Sequence, residues 1–207
     1  MRIVTVSREF GSGGRELGKR VADRLGWAYY DREIITAIAE KSDMDEAYVA
    51  RLLEQGMKSP YPLTFRHTFS YAAMTQQNTT RILIAQNKVM QELAARNEDC
   101  VIVGRGADVL LKEHNPLNLF VYADLEARMQ RCRDRAEGGE PLSDRELERK
   151  IKQVDNGRAK YRQLLTGAPW GRKESYHLCV NTTGQDIKAL SSWMEGYVRY
   201  WFGGGAQ

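Results

Sequence analysis

A β-branched run that empties straight into a glycine-rich turn constrains this chain more than any other feature. Ile3, Val4 and Val6 read as a short buried strand. Gly11, Ser12, Gly13 and Gly14 follow, and a helix opens near Arg15 with Leu17, Val21 and Leu25 four apart on one face. Glycines let the backbone turn tightly and aim its N–H groups into one hollow. The start of the helix adds partial positive charge. Together they make an anion site, and phosphate is its usual guest. The alternative is a glycine-rich strand–helix turn with no ligand.

The match to the Walker pattern G-x-x-x-x-G-K-[ST] is imperfect. With the last glycine set on Gly14, Arg15 falls where lysine belongs, Glu16 where the hydroxyl belongs and Glu9 at the first glycine. Arginine can hold phosphate oxygens, and does so bidentately. Glutamate does not simply replace a hydroxyl on Mg²⁺. The ion would then be held through water, by Ser12, or by Glu16, whose carboxylate oxygens suit a hard cation.

A length of 207 residues suits one domain with a flap or small subdomain, and 42% apolar content is enough for a core. The net charge of +4 fits a small anionic ligand without requiring nucleic acid. No run of five like charges marks a nucleic-acid tail. Cys100, Cys132 and Cys179 are far apart and odd in number, which argues for a reducing compartment and against a disulfide scaffold or zinc site. His67, His114 and His177 share no metal-ligand spacing. The chain enters its first strand directly, without a signal peptide, and no apolar run reaches transmembrane length. A cytoplasmic protein with no membrane partner is the expectation.

Further along, Trp27 to Tyr30 reads as a strand, and helices are expected over Arg32–Lys41 and Glu46–Gln55. Met57 to Gln77 breaks the rhythm, because Pro60 and Pro62 forbid a regular helix there. Its aromatic content suits a lid, a binding loop, a homodimer contact or a flap packed on the core. Thr79 to Ala95 reads as a long helix and Cys100–Val103 as the best central strand, ended by Gly104-Arg105-Gly106. A short helix over Asp108–Lys112, a strand over Asn118–Tyr122 and an arginine-rich helix over Leu125–Arg135 come next. Gly138 and Gly139 mark a hinge before a charged helix over Asp144–Leu164. A strand over Leu178–Asn181 and a helix over Asp186–Phe202 close the chain.

Strands alternating with helices predict an α/β protein with a parallel sheet. Ligands of such sheets bind beyond the carboxyl ends of the strands. Ser7–Arg15, Asp31, Gly104–Asp108 and Asp124 therefore gather at one rim. Arg105 draws attention because a long cation ending a buried strand between two glycines has little structural reason to be there. Arg131 and Arg135 are either charge donors to the site or a solvated helix face, and Asp155 with Arg158 is either a site pair or an ordinary i,i+3 pair.

Five blocks carry a resemblance: TVSREFGSGGRELGKRVADRLGWAYYDREII, CVIVGRGADVLL, LFVYADLEARMQR, KQVDNGRAKYRQLLTGAPWG and YHLCVNTTG. In this order, from residue 5 to 184, they resemble the cytidylate kinase-like family, a branch of the P-loop nucleoside monophosphate kinases. The resemblance implies a three-layer P-loop kinase domain. A five-stranded parallel sheet is flanked by helices, with a monophosphate-binding flap at about 32–80 and a lid at about 136–150. It implies ATP- and Mg²⁺-dependent phosphoryl transfer to CMP or dCMP, with small nucleotides as partners. A nucleotide sensor without catalysis, or a kinase for another small acceptor, are the alternatives.

By the same resemblance, Gly11, Ser12, Gly13, Gly14, Arg15 and Glu16 hold the donor phosphates. Asp31, Arg105, Asp155 and Arg158 hold the acceptor. Lys152 and Arg162 are alternatives to the Asp155–Arg158 pair, since the register admits a shift. Arg15, Arg131 and Arg135 neutralise charge during transfer. The sequence departs from the family's kinases in three places: the missing lysine, the missing hydroxyl, and Val103 where they carry an aspartate.

Overall fold

The computed structural model describes residues 1–55, 68–136, 142–167 and 169–204, with backbone only for 54, 55 and 68–76. Five parallel strands form one sheet: β1 (Ile3–Arg8), β2 (Ala28–Tyr30), β3 (Cys100–Val103), β4 (Leu117–Tyr122) and β5 (Leu178–Asn181). Their order is β2-β3-β1-β4-β5, so β1 lies at the centre, Val6 against Val103 on one side and Leu119 on the other.

The strands alternate in the face they serve, as a period of two requires. Val4 and Val6 join Val101, Val103, Leu119 and Val121 under α1 (Gly14–Leu25) and α8 (Ile187–Phe202). Ile3, Cys100 and Ile102 face the opposite layer. That layer is built by α2 (Arg32–Ser42), α3 (Glu46–Gln55) and α4 (Thr68–Ala95). Burial on both faces explains why the strands read as unbroken apolar runs. Beyond β3 comes α5 (Ala107–Leu110) with a 3₁₀ turn over Lys112–His114. Between β4 and β5 lie α6 (Leu125–Asp134), α7 (Asp144–Thr166) and a 3₁₀ turn over Lys173–Ser175. Ser143 and Glu146 form a reciprocal capping box at the start of α7.

The five-stranded parallel sheet flanked by helices is the expected fold. One element differs: α4 starts at Thr68, so residues 68–77 are helical and the break expected from Pro60 and Pro62 stops short of them. Proline disrupts the turn that precedes it and its own position, and exerts nothing six residues downstream. Residues 57–67 of the aromatic stretch and the Gly138–Gly139 hinge lie outside the described residues. Cys100, Cys132 and Cys179 are all free thiols. Among the described residues, no helix is long and apolar enough to cross a membrane.

The seating of α1 on the sheet depends on Gly18. A Cβ there would already stand 3.1 Å from Val103 Cγ2 and 3.5 Å from Val6 Cγ2. Gly18→Leu should therefore lift the helix off the sheet and lower stability by about 1–3 kcal/mol, read by urea unfolding. An unchanged midpoint would show that the helix seats elsewhere.

Candidate active site

β1 ends at Arg8, and the chain turns through Gly11 (φ +80°) and Gly13 (φ +83°) before α1 begins at Gly14. Left-handed φ suits glycine and few other residues. The Gly14 amide reaches the Ser12 hydroxyl at 3.4 Å, and the first amide of α1 to bond a preceding carbonyl is that of Leu17, to Gly13 at 2.9 Å. The amides of Arg15 and Glu16, in the first turn, have no acceptor within the helix. This is the geometry of an anion cradle.

Ser12 braces the cradle from within. It is fully buried, its hydroxyl donates to the Glu9 carbonyl at 2.9 Å, and its own carbonyl accepts from Thr182 Oγ1 at 2.7 Å. Around the outside of the turn runs Arg128, a buried side chain of α6. Its Nε donates to the Phe10 carbonyl at 2.7 Å, and one Nη lies 3.1 Å from Glu9 Oε2. The other Nη pairs with Asp155 of α7. Asp155 in turn accepts from the Phe10 amide at 2.8 Å. Glu9 also accepts from the Ala123 amide at 3.2 Å, while burial pushes its carboxyl above the usual range. The turn is thus tied to α6, α7 and the end of β4.

Beside the cradle, at the carboxyl ends of β1 and β3, lies a cavity of about 50 Å³ lined by Arg8, Arg105, Arg158 and Arg162, with Asp108, Tyr161 and Trp170. Arg162 pairs with buried Asp108. Arg158 donates to the Arg8 carbonyl at 3.0 Å and lies 3.5 Å from Asp155 Oδ1. Arg105 is buried at φ +56° between two glycines that are also left-handed. A non-glycine residue held there carries strain of about 1–2 kcal/mol, a cost that clusters at functional sites. Burial first, then the charges of Arg158 and Arg105, pull the Arg8 guanidinium well below the usual arginine range.

The rim therefore brings together Gly11–Gly14, Asp31, Arg105 and Arg158, as the sequence implies. It uses other expected residues differently. The Arg15 side chain leaves the glycine turn, its Nε meeting Asp31 Oδ2 at 2.6 Å. Glu16 pairs with Arg20 at 2.8 Å and with Arg135. Arg131 bonds the Thr182 carbonyl and Thr182 Oγ1 (3.2 Å), fastening α6 to the turn after β5. Asp155, expected on the acceptor, has its oxygens on the Phe10 amide, Arg128 and Arg158.

The same engagement bears on Mg²⁺. The Ser12 hydroxyl is internal to the turn and the Glu16 carboxylate is held by two arginines. Among the described residues, no three His, Cys, Asp or Glu side chains cluster to hold a metal. These residues do not fit a protein-held magnesium ion.

The chain matches the cytidylate kinase-like family over residues 3–184. It belongs to that family. No curated protein matches its sequence. Among solved structures, it is similar to an uncharacterized protein from Eubacterium ventriosum, 21% identical with TM-score 0.69 over 96% of this chain and 98% of that one. It is also similar to shikimate kinase from Bacteroides thetaiotaomicron (16% identity, TM-score 0.56, 96% and 98% covered). Shikimate kinase from Acinetobacter baumannii in complex with shikimate follows (15%, 0.51, 96% and 93%). At such identities the structural likeness shows the fold alone. Family and fold together support a phosphotransferase.

Two residues of this cytidylate kinase-like protein's rim have no role in the sequence alone. Arg128 had a signal: it falls on the same helical face as Leu125 and Cys132, where an apolar residue is the norm. Arg8 lies within the Ser7–Arg15 stretch expected at the rim but carried no role there; its signal was that of a cation ending a buried strand.

Removing Arg128 tests the tie. Arg128→Met keeps the length and strips the charge from between Glu9 and Asp155. Leaving mostly buried carboxylates without their cation should cost about 3–5 kcal/mol in denaturant unfolding. A loss under about 1 kcal/mol would mean the turn is held by its backbone alone.

Proposed function

We propose that the protein transfers the terminal phosphoryl group of ATP to a nucleoside monophosphate, with CMP or dCMP the acceptor. The observation that carries this reading is the meeting, at one rim of the sheet, of an amide-lined glycine turn and a cleft lined by guanidinium groups. The turn over Gly11–Gly14 and the first amides of α1 take the donor phosphates. Arg105 and Arg158 take the acceptor phosphate in two-point contacts. Arg15, bound to Asp31, stands between β2 and α1 on the acceptor side. Arg131 and Arg135 add positive charge beside the turn.

In the transfer, an oxygen of the acceptor phosphate forms a bond to the terminal phosphorus while the bond from that phosphorus to the bridging oxygen breaks, and ADP leaves. The attacking oxygen of a monophosphate dianion carries no proton, so no base is needed. What the reaction asks for is alignment and positive charge around the equatorial oxygens. A divalent cation accompanying ATP would be carried by the nucleotide's phosphates and water.

A second reading has its own support. No lysine or hydroxyl follows the glycine turn, which fits a nucleotide sensor that kept the fold without the chemistry. A coupled assay with ATP against the common nucleoside monophosphates separates the two. Turnover is expected with CMP or dCMP. Arg105→Ala should weaken CMP binding about ten- to a hundred-fold by calorimetry and leave ATP affinity nearly intact. Binding of ATP and CMP without turnover would favour the sensor. Turnover with a different acceptor would replace CMP only.

A further inference from the structure

The Walker pattern sets its lysine immediately after the glycine that turns the chain into the helix. In this protein that glycine is Gly13, the left-handed residue from which α1 departs at Gly14. Counted from there, Gly14 occupies the lysine position and Arg8 that of the first glycine. The two positions have exchanged their character. They also touch: a Cβ on Gly14 would stand 2.6 Å from the Arg8 Cβ. A long cation at position 14 and an arginine at position 8 exclude each other.

Arg8 sits in a slot made for it. A Cβ on Gly104 would fall 1.7 Å from Arg8 Nη1, so the guanidinium occupies the space a side chain there would fill. Its carbonyl is held by Arg158. The side chain is nine-tenths buried, lines the cavity, and makes no hydrogen bond among the described residues. Its nearest carboxylate oxygen, Asp31 Oδ1, is 3.9 Å away and Arg15 already holds the other oxygen of that group. Arg158, Arg105 and Arg15 all oppose its charge. A buried arginine without matched partners destabilises the fold that contains it. Among the described residues only the distant, shared Asp31 offsets that cost, whereas an oxyanion in the cavity would offset it directly.

We propose that Arg8 supplies the charge the glycine turn lacks, contacting the phosphoryl group from the strand below the turn instead of from the helix above it. The proposal rests on the phosphotransfer reading. Arg8 lies between the turn and the guanidinium-lined cleft, where a group passing from donor to acceptor must go. It changes the expected role of Arg15, whose side chain is turned to Asp31, and assigns the lysine's work to a residue six positions before the lysine's place at Gly14.

Inorganic pyrophosphate serves as a probe that needs no knowledge of the acceptor. Thermal unfolding and calorimetric titration are run on wild type, Arg8→Met, Arg8→Lys and, as a control for general charge, Arg133→Met, an exposed side chain paired with Asp144. Arg8→Met should melt about 2–4 °C above wild type without ligand, since an opposed buried charge is gone. It should bind pyrophosphate at least about tenfold more weakly and, with ATP and the acceptor found in the coupled assay, lower kcat about a hundredfold. Arg8→Lys should recover part of the pyrophosphate affinity, and Arg133→Met should match wild type. If Arg8→Met melts below wild type or fails to fold, Arg8 is a scaffold residue and the proposal is overturned. It is equally overturned if Arg8→Met binds pyrophosphate as wild type does, or if Arg8→Lys binds no better than Arg8→Met. A wild type that binds neither pyrophosphate nor ATP sinks the phosphotransfer reading itself, an outcome distinct from normal binding with an indifferent Arg8→Met.

Discussion

The hold of Arg128 on the glycine turn is the interaction on which the site depends. A turn rich in glycine has the most conformational freedom to lose on ordering. Amides aimed at an anion are useful only if they are already aimed. Arg128 reaches the turn at two consecutive residues, Glu9 and Phe10, and Asp155, itself paired with Arg128, accepts from the Phe10 amide. One guanidinium and two carboxylates thereby convert a flexible segment into a fixed one. The three groups come from α6, the turn and α7, so the helices bracketing residues 137–141 both bear on the turn. Any rearrangement of those helices would be felt at its amides.

Charge at the rim is uneven by construction. The exposed pairs on the helix surfaces are matched, as with Lys19 and Asp23, and contribute little in water. Inside the cleft, Arg162 has Asp108, while Arg8 and Arg15 share Asp31. The parallel sheet is what makes this possible. It directs the carboxyl ends of β1 and β3 to one edge, so Arg8 and Arg105, ninety-seven positions apart in sequence, line one cavity. The left-handed backbone of Arg105 and the low proton affinity of Arg8 are costs borne at the same place. Costs concentrated in one cleft mark a site shaped for something other than stability.

How much of this was legible in the sequence follows from the range of each signal. The fold was legible because Ile3–Val6 and Cys100–Val103 are short apolar runs between amphipathic helices, and local periodicity fixes such elements. The start of α4 was not, because Pro60 and Pro62 carry a strong local signal whose reach was read too far. Glycine turn and Arg105 were legible for the same reason as the strands. Asp155 was visible as one half of an i,i+3 pair, but its bond to the Phe10 amide spans 145 positions and leaves no local trace. Arg15 was assigned to phosphate by its place in a motif. The rotamer that carries it to Asp31 is settled by a carboxylate at the far end of β2.

The glycines themselves carry the last step. A glycine-rich segment invites a reading in terms of flexibility, and Gly13 with its positive φ supports it. Gly11 and Gly104 share that positive φ, and close contact adds a second demand at both of them and at Gly14. A Cβ at Gly11 would meet the Arg128 carbonyl at 2.8 Å, one at Gly14 the Arg8 Cβ at 2.6 Å, and one at Gly104 the Arg8 guanidinium. Gly14 has ordinary helical backbone, so it is glycine there for space alone. Two of these three contacts are with Arg8, Gly14 at the root of its side chain and Gly104 at the guanidinium. The room that Arg8 takes excludes a side chain at Gly14, where a lysine in the usual pattern would start. The glycine turn lies on one side of that cation's place in the chain, and Arg105, Arg158 and Arg162 share its cavity.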